Sequence, residues 1–289
     1  MEIELEKDRR KDGLKIILTI LAVYAICLLF RCLEYFLIRT DQTFFGEAFI
    51  LKLLGIAVCF LAMFILHMKP SATGFSMRSA PKNILFGAIL GISTYVLTYS
   101  VELIILAATG KSPSIRFYVT SYSVDGNVGN QTGFLFFLLC IVGNVINVVM
   151  EEGVFRGLFL RLAQKKYAFT IAVVISSVLF GLWHLVAPIR SYVDGERSLK
   201  GMFLMMLMLF FSTGITGAKF CLMTKITGSL WFAMTDHFIN NSLVNVLHIC
   251  SASGADELQT ARVAIAQAVS FIVVLTVFIK GKHYKKSPQ

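Results

Sequence analysis

Glu151, Glu152 and Arg156 lie in one long apolar stretch of the chain, His184 in the next, and His237 with Asn241 in a third. Carboxylate, imidazole and carboxamide groups are those that transfer protons and stabilise oxyanions. All are costly at membrane depth, where an ionisable side chain faces the protein interior or a water-filled cavity and marks a functional site by default. The cluster points to an enzyme whose chemistry lies within the lipid slab, not to a membrane scaffold alone.

Spacing assigns provisional partners. Adjacent helical residues point about 100° apart, so Glu151 and Glu152 are expected on different faces. Arg156 follows Glu152 by four residues, the contact spacing, and is expected to pair with it and leave Glu151 free. Asn144 and Asn147 fall on the stripe of Glu151, which places that carboxylate on the polar face of its helix, in a setting suited to a general base. An internal ion pair that merely fixes packing would leave one of the two Glu residues unexplained.

A lone His on an apolar helix is often a structural hydrogen-bonder. His184 lies toward the outer end of its stretch, roughly 10 Å in depth from Glu151 at about 1.5 Å per residue, so a tilt or kink must bring the two together. His237 and Asn241 share a face, and Asn245 and His248 are expected to continue that stripe. A neutral imidazole and an amide can donate to a developing oxyanion. The plainer reading is interhelical glue, but so many polar groups in one stretch favour a wet cavity.

The elements that must position these groups are membrane-spanning helices. The chain has 289 residues, 56% hydrophobic and only 15% charged, with a mean hydropathy of +0.74. That is far above a soluble domain, and the apolar runs are too long and continuous for barrel strands. The expectation is one all-α polytopic membrane domain over 1–289, a bundle of about eight spans at 16–38, 48–68, 83–108, 134–160, 169–187, 201–223, 228–248 and 262–280. The first run is too long for a signal-peptide core and should be retained. Segment 109–133 reads as a solvated loop and 70–81 as a short interfacial helix.

Connectors assigned inside, among them a 219–227 turn, hold 17 Lys and Arg residues against 7 outside, which puts both termini in the cytoplasm. Arg31, Lys52 and Arg156 are the positives assigned to spans. The net charge of +10 is explained by these loops, and nucleic acid is not an expected partner. Cys27, Cys32, Cys59, Cys140, Cys221 and Cys250 contain no Cys-x-x-Cys pair and read as small buried hydrophobes.

Taken together, Glu151-Glu152-x-x-x-Arg156, Phe180-x-x-x-His184 and His237-x-x-x-Asn241 resemble, in order, the signature of the type II CAAX prenyl endopeptidases, a family that also takes in bacteriocin-processing and immunity-type membrane proteases. The resemblance covers roughly residues 130–250, a protease-like core. It implies an intramembrane endopeptidase in which Glu151 activates water and His184 helps hold that water or the substrate. His237 and Asn241 would stabilise the oxyanion, with Glu152 and Arg156 holding the site together.

The family has been described both as metalloproteases and as metal-free glutamate-dependent enzymes. A catalytic zinc wants three protein ligands and an open position, and Glu151, His184 and His237 are the candidate set. Glu151 cannot easily be both ligand and base, so the reading leans to metal-free chemistry.

The substrate class is a membrane-associated peptide or protein: a CAAX-type tail, a bacteriocin leader or a pheromone precursor. The short loops suit a prokaryotic plasma membrane. A catalytically silent, protease-like regulator of envelope signalling or immunity is the rival reading. A transporter is disfavoured, because there is no inverted repeat.

Overall fold

The computed structural model describes residues 2–43, 45–120, 131–251 and 256–284, with side chains described inside 12–281. Long apolar runs close their backbone hydrogen bonds within themselves, as a bilayer demands, and the chain is helical almost throughout. Helix α1 (Glu2–Leu33) passes into a π-helical turn, Glu34–Ile38, and is followed by α2 (Ile50–Ile65), the short α3 (Pro70–Thr73) and α4 (Ala80–Ala108). After strand β1 (Ser114–Phe117) comes α5 (Phe134–Glu152), which runs through a π-helical stretch, Gly153–Phe159, into α6 (Leu160–Gln164). Then follow α7 (Phe169–Trp183), α8 (Val186–Val193), α9 (Leu199–Thr227), α10 (Trp231–Val246), strand β2 (Leu247–Cys250) and α11 (Gln259–Tyr284).

Local signals set several boundaries. Pro70 opens α3 at a position where its missing N–H costs nothing. The Ser198 hydroxyl accepts from the Gly201 N–H at 3.1 Å and caps α9. Gly228, at φ 72°, ends that helix in the left-handed region.

Among the described residues six helical stretches are long and apolar enough to cross a membrane: Asp12–Gln42, Met77–Ala108, Phe134–Gln164, Phe169–Val193, Leu199–Thr227 and Gln259–Gly281. The protein is therefore an all-α polytopic membrane protein, with Ile50–Ile65 as a shorter apolar helix. Large apolar side chains such as Ile89, Ile104, Leu207 and Phe211 point outward, as a lipid-facing surface requires.

The remaining expected span, 228–248, differs in kind. Its helix, α10, has 16 residues and packs against α4, α5, α9 and α11. Encased by other helices, it can be short and polar. Two glycines permit the closest approach. A Cβ at Gly87 would come within 2.7 Å of the Phe232 carbonyl oxygen, and one at Gly91 within 3.0 Å of Ile239. The small faces of α4 thus bring the α10 backbone in close.

Four local expectations are corrected. His248 does not extend the α10 stripe, because the helix stops at Val246 and His248 enters β2. There its ring stacks on Tyr118 at 3.9 Å. Strand β1, inside the expected loop 109–133, pairs antiparallel with β2, matching Ser114 to Cys250 and Phe117 to Leu247; residues 121–130 of that loop lie outside the described residues. The supposed 219–227 turn is helical, so Lys219 sits within α9 and is fully buried. Segment 70–81 resolves into α3, a single 3-10 turn at Met77–Ser79 and the start of α4. The six cysteines are free; five are buried and Cys32 half-buried.

Candidate active site

Glu151 and Glu152 are the last two residues of α5, and Arg156 lies in the wider π-helical stretch that follows. Arg156 Nη1 donates to Glu152 Oε1 at 3.2 Å, with both side chains at 0% exposure. The guanidinium is caged by aromatic rings, its carbon 4.1 Å from the centroid of Phe180, 5.2 Å from Phe220 and 5.8 Å from Phe155. These π faces offset part of the cost of burying a cation. Gly217 of α9 makes the room, since a Cβ there would fall 2.9 Å from Arg156 Nη2.

Both carboxylates reach one imidazole. His237 Nδ1 lies 2.9 Å from Glu152 Oε1, and its Nε2 lies 3.7 Å from Glu151 Oε2. Separate helical faces do not keep the two Glu side chains apart, because the ring presents its nitrogens on opposite sides and each carboxylate approaches one. A carboxylate only accepts, so the Nδ1–H donates to Glu152, while Nε2 stands beside Glu151 beyond direct hydrogen-bond distance. Phe220 stacks on the ring at 4.8 Å and fixes its plane.

Glu151 is anchored from α7. The buried indole Nε1–H of Trp183 donates to Glu151 Oε1 at 3.1 Å. His184 follows α7 as its C-cap, with Nδ1 2.8 Å from the Phe180 carbonyl. The remaining nitrogen, Nε2, then carries the lone pair. His184, His237, Arg31 and Lys52 are among the ionisable side chains within electrostatic reach of Glu151.

Asn241 lies one turn beyond His237 on α10. Its Oδ1 accepts from Asn240 Nδ2 at 2.9 Å, leaving its NH₂ as the donor that can serve the site. On the α5 stripe Asn144 and Asn147 are buried, and Asn144 Nδ2 donates to Ser242 Oγ of α10 at 3.2 Å.

Spacing did not reveal Trp183, Phe220, Gly217 or the buried pair between Lys219 and Asp236. A buried indole N–H needs an acceptor, so Trp183 beside His184 was a usable signal. So were opposite charges in two apolar helices. Arg31, read only as a charge within a span, stacks on Trp183 at 4.5 Å and donates to the Tyr35 hydroxyl at 3.2 Å.

Glu151, His184 and His237 do not form a three-donor metal cluster. Among the described residues no three His, Cys, Asp or Glu side chains are grouped so as to hold an ion.

Residues 133–243 match the family model described as type II CAAX prenyl endopeptidase Rce1-like. That stretch carries Glu151, Glu152, Arg156, His184, His237 and Asn241. No curated protein matches the chain.

Proposed function

We propose that this protein is an intramembrane endopeptidase that hydrolyses a peptide bond of a membrane-associated peptide or protein. The observation that carries the reading is the meeting of α5, α7 and α10 at the buried Glu151 carboxylate, with Trp183 donating to it from one side and His237 beside it on the other. The family match supports the same reaction class.

In this reading Glu151 takes a proton from water as the oxygen attacks the scissile carbonyl, and later gives it to the leaving amine. Asn241 donates its NH₂ to the oxyanion. His237, held by Glu152 and stacked on Phe220, lends its second nitrogen to the same water or, once protonated, to the oxyanion. His184 Nε2 helps hold water or substrate. No step requires a metal. The site lies inside a bundle whose outer face suits lipid, so a substrate anchored in or at the bilayer reaches it most directly. With α2 and α10 counted among eight crossings, both termini lie in the cytoplasm. The short loops fit a prokaryotic plasma membrane.

The test compares membrane peptides from cells carrying the wild-type protein with those from cells carrying Glu151→Gln. The wild type should release a fragment that is absent from the variant at equal protein level. Asn241→Ala should lower the rate by about 10²–10³, the usual cost of one oxyanion donor. Identical peptide profiles in all three strains would overturn the proposal.

A further inference from the structure

A carboxamide presents two ends of nearly equal shape and opposite polarity. Asn241 serves an oxyanion only with its NH₂ turned to the site, so something must fix which end faces inward. An ammonium group has donors only, and one stands at the head of a chain that leads to Asn241.

Lys219 Nζ of α9 donates to Asp236 Oδ2 at 2.6 Å, Gln267 Oε1 at 2.7 Å and Ser270 Oγ at 3.0 Å. Asp236 supplies the counter-charge, and Lys219 has no exposure. With Oε1 committed to the ammonium, Gln267 of α11 must turn its Nε2 away, and this donates to Asn240 Oδ1 at 2.7 Å. Tyr95 of α4 donates its hydroxyl to the same oxygen at 2.5 Å. Asn240 Oδ1 is now filled twice, so its Nδ2 donates onward to Asn241 Oδ1 at 2.9 Å. Each link has one polarity, set by the link before it.

We infer that Lys219, Gln267, Tyr95 and Asn240 form a polarity relay that holds the Asn241 amide with its NH₂ toward the active site, and that Lys219 and Gln267 are positioning residues for the proposed hydrolysis. The inference rests on the proposed function. It extends the working unit to α11, beyond the stretch 133–243 that matches the family.

The discriminating variant is Gln267→Glu, which keeps the shape and still accepts from Lys219 but cannot donate to Asn240. Asn240 must then turn its NH₂ to the new carboxylate and present oxygen to Asn241. The Asn241 amide reverses and offers the site an acceptor in place of a donor. Rates are read on the peptide released in a Glu151-dependent manner, as a synthetic quenched fluorescent substrate in lipid nanodiscs. Gln267→Glu should lower kcat about as much as Asn241→Ala, by about 10²–10³, with KM changed less than about threefold. In the Asn241→Ala background it should cost almost nothing more, as for residues acting through one group.

Tyr95→Phe deletes a single hydroxyl and guards against misfolding of the charged variant. It should lower kcat several-fold, and this loss too should vanish in the Asn241→Ala background. Equal kcat for Gln267→Glu and wild type, or losses from Gln267→Glu and Tyr95→Phe that multiply with that of Asn241→Ala, would overturn the relay while leaving the endopeptidase reading in place. Full activity of Glu151→Gln or Asn241→Ala would instead overturn that reading, and the relay with it.

Discussion

Glu152 Oε1 and His237 Nδ1 stand 2.9 Å apart in the buried centre of the bundle, joining the end of α5 to the middle of α10. The contact fixes both the tilt of the imidazole and the nitrogen that bears its proton, much as a carboxylate orients a metal-ligating histidine. Glu152→Gln keeps the shape but can turn an NH₂ toward the ring. A loss of about 10- to 100-fold in kcat is expected, the range for removing such an orienting partner. Steady-state kinetics with unchanged KM is the check, and wild-type kcat would count against the orienting role.

Arg156 is held by one carboxylate and an aromatic cage, with no exposure. Removing it leaves Glu152 as an uncompensated buried charge, a change that costs about 3–5 kcal/mol in comparable settings. Arg156→Ala should therefore reduce both the yield of folded protein and its activity. Adding Glu152→Gln should restore much of the yield and none of the activity. Yields from detergent-solubilised, size-fractionated protein separate the two effects.

Gly217→Ala tests the same cage from outside. The added methyl would meet Arg156 Nη2 at 2.9 Å and Phe180 at 3.2 Å. An overpacked core typically costs about 1–3 kcal/mol, so the thermal midpoint should fall by several degrees. Gly214→Ala, whose added carbon meets nothing nearer than 3.5 Å, should leave the midpoint close to that of the wild type.

Metal dependence offers a direct check on the chemistry. If Glu151 and the chain's own donors suffice, cleavage should survive exhaustive chelation followed by desalting. Loss of activity restored by zinc alone would reassign His184 and His237 as ligands.

Between β2 and α11, burial by itself would raise the Asp256 carboxyl, but hydrogen bonds from His248 and Arg262 outweigh it and hold the group below its ordinary value. A carboxyl depressed in the fold contributes stability above its unfolded pKa, about 3.9, and loses it as the pH falls through the folded value. Thermal midpoints should drop between about pH 5 and pH 3. Asp256→Asn should flatten that dependence and lower the midpoint at neutral pH. An unaltered slope would remove Asp256 from the account.

The short-range part of the site was legible because helical spacing is a local property. Arg156 four residues after Glu152 needed only the period of the helix, and the pair is there at 3.2 Å. What spacing could not supply was the meeting of different helices. The indole of Trp183 on Glu151, Phe220 against His237 and Lys219 beside Asp236 depend on how α7, α9, α10 and α11 pack. The extent of α10 was misread for a related reason: a run of apolar residues does not say where a helix passes into a strand, and His248 and Tyr118 are brought together only by the β1–β2 pairing. Reading Lys219 as a loop charge followed from treating every Lys near a span end as solvated.

The tight seat of α10 against Gly87 and Gly91 bears on how small a working version of this protein can be. Those glycines lie in α4, ahead of the stretch that matches the family, so the helix bearing His237 is shaped by a surface outside it. A chimera that grafts residues 133–243 onto foreign flanking helices would inherit the reactive side chains without the bed on which they lie. Minimal fragments and domain transplants should be designed with the first half of the chain as an integral component.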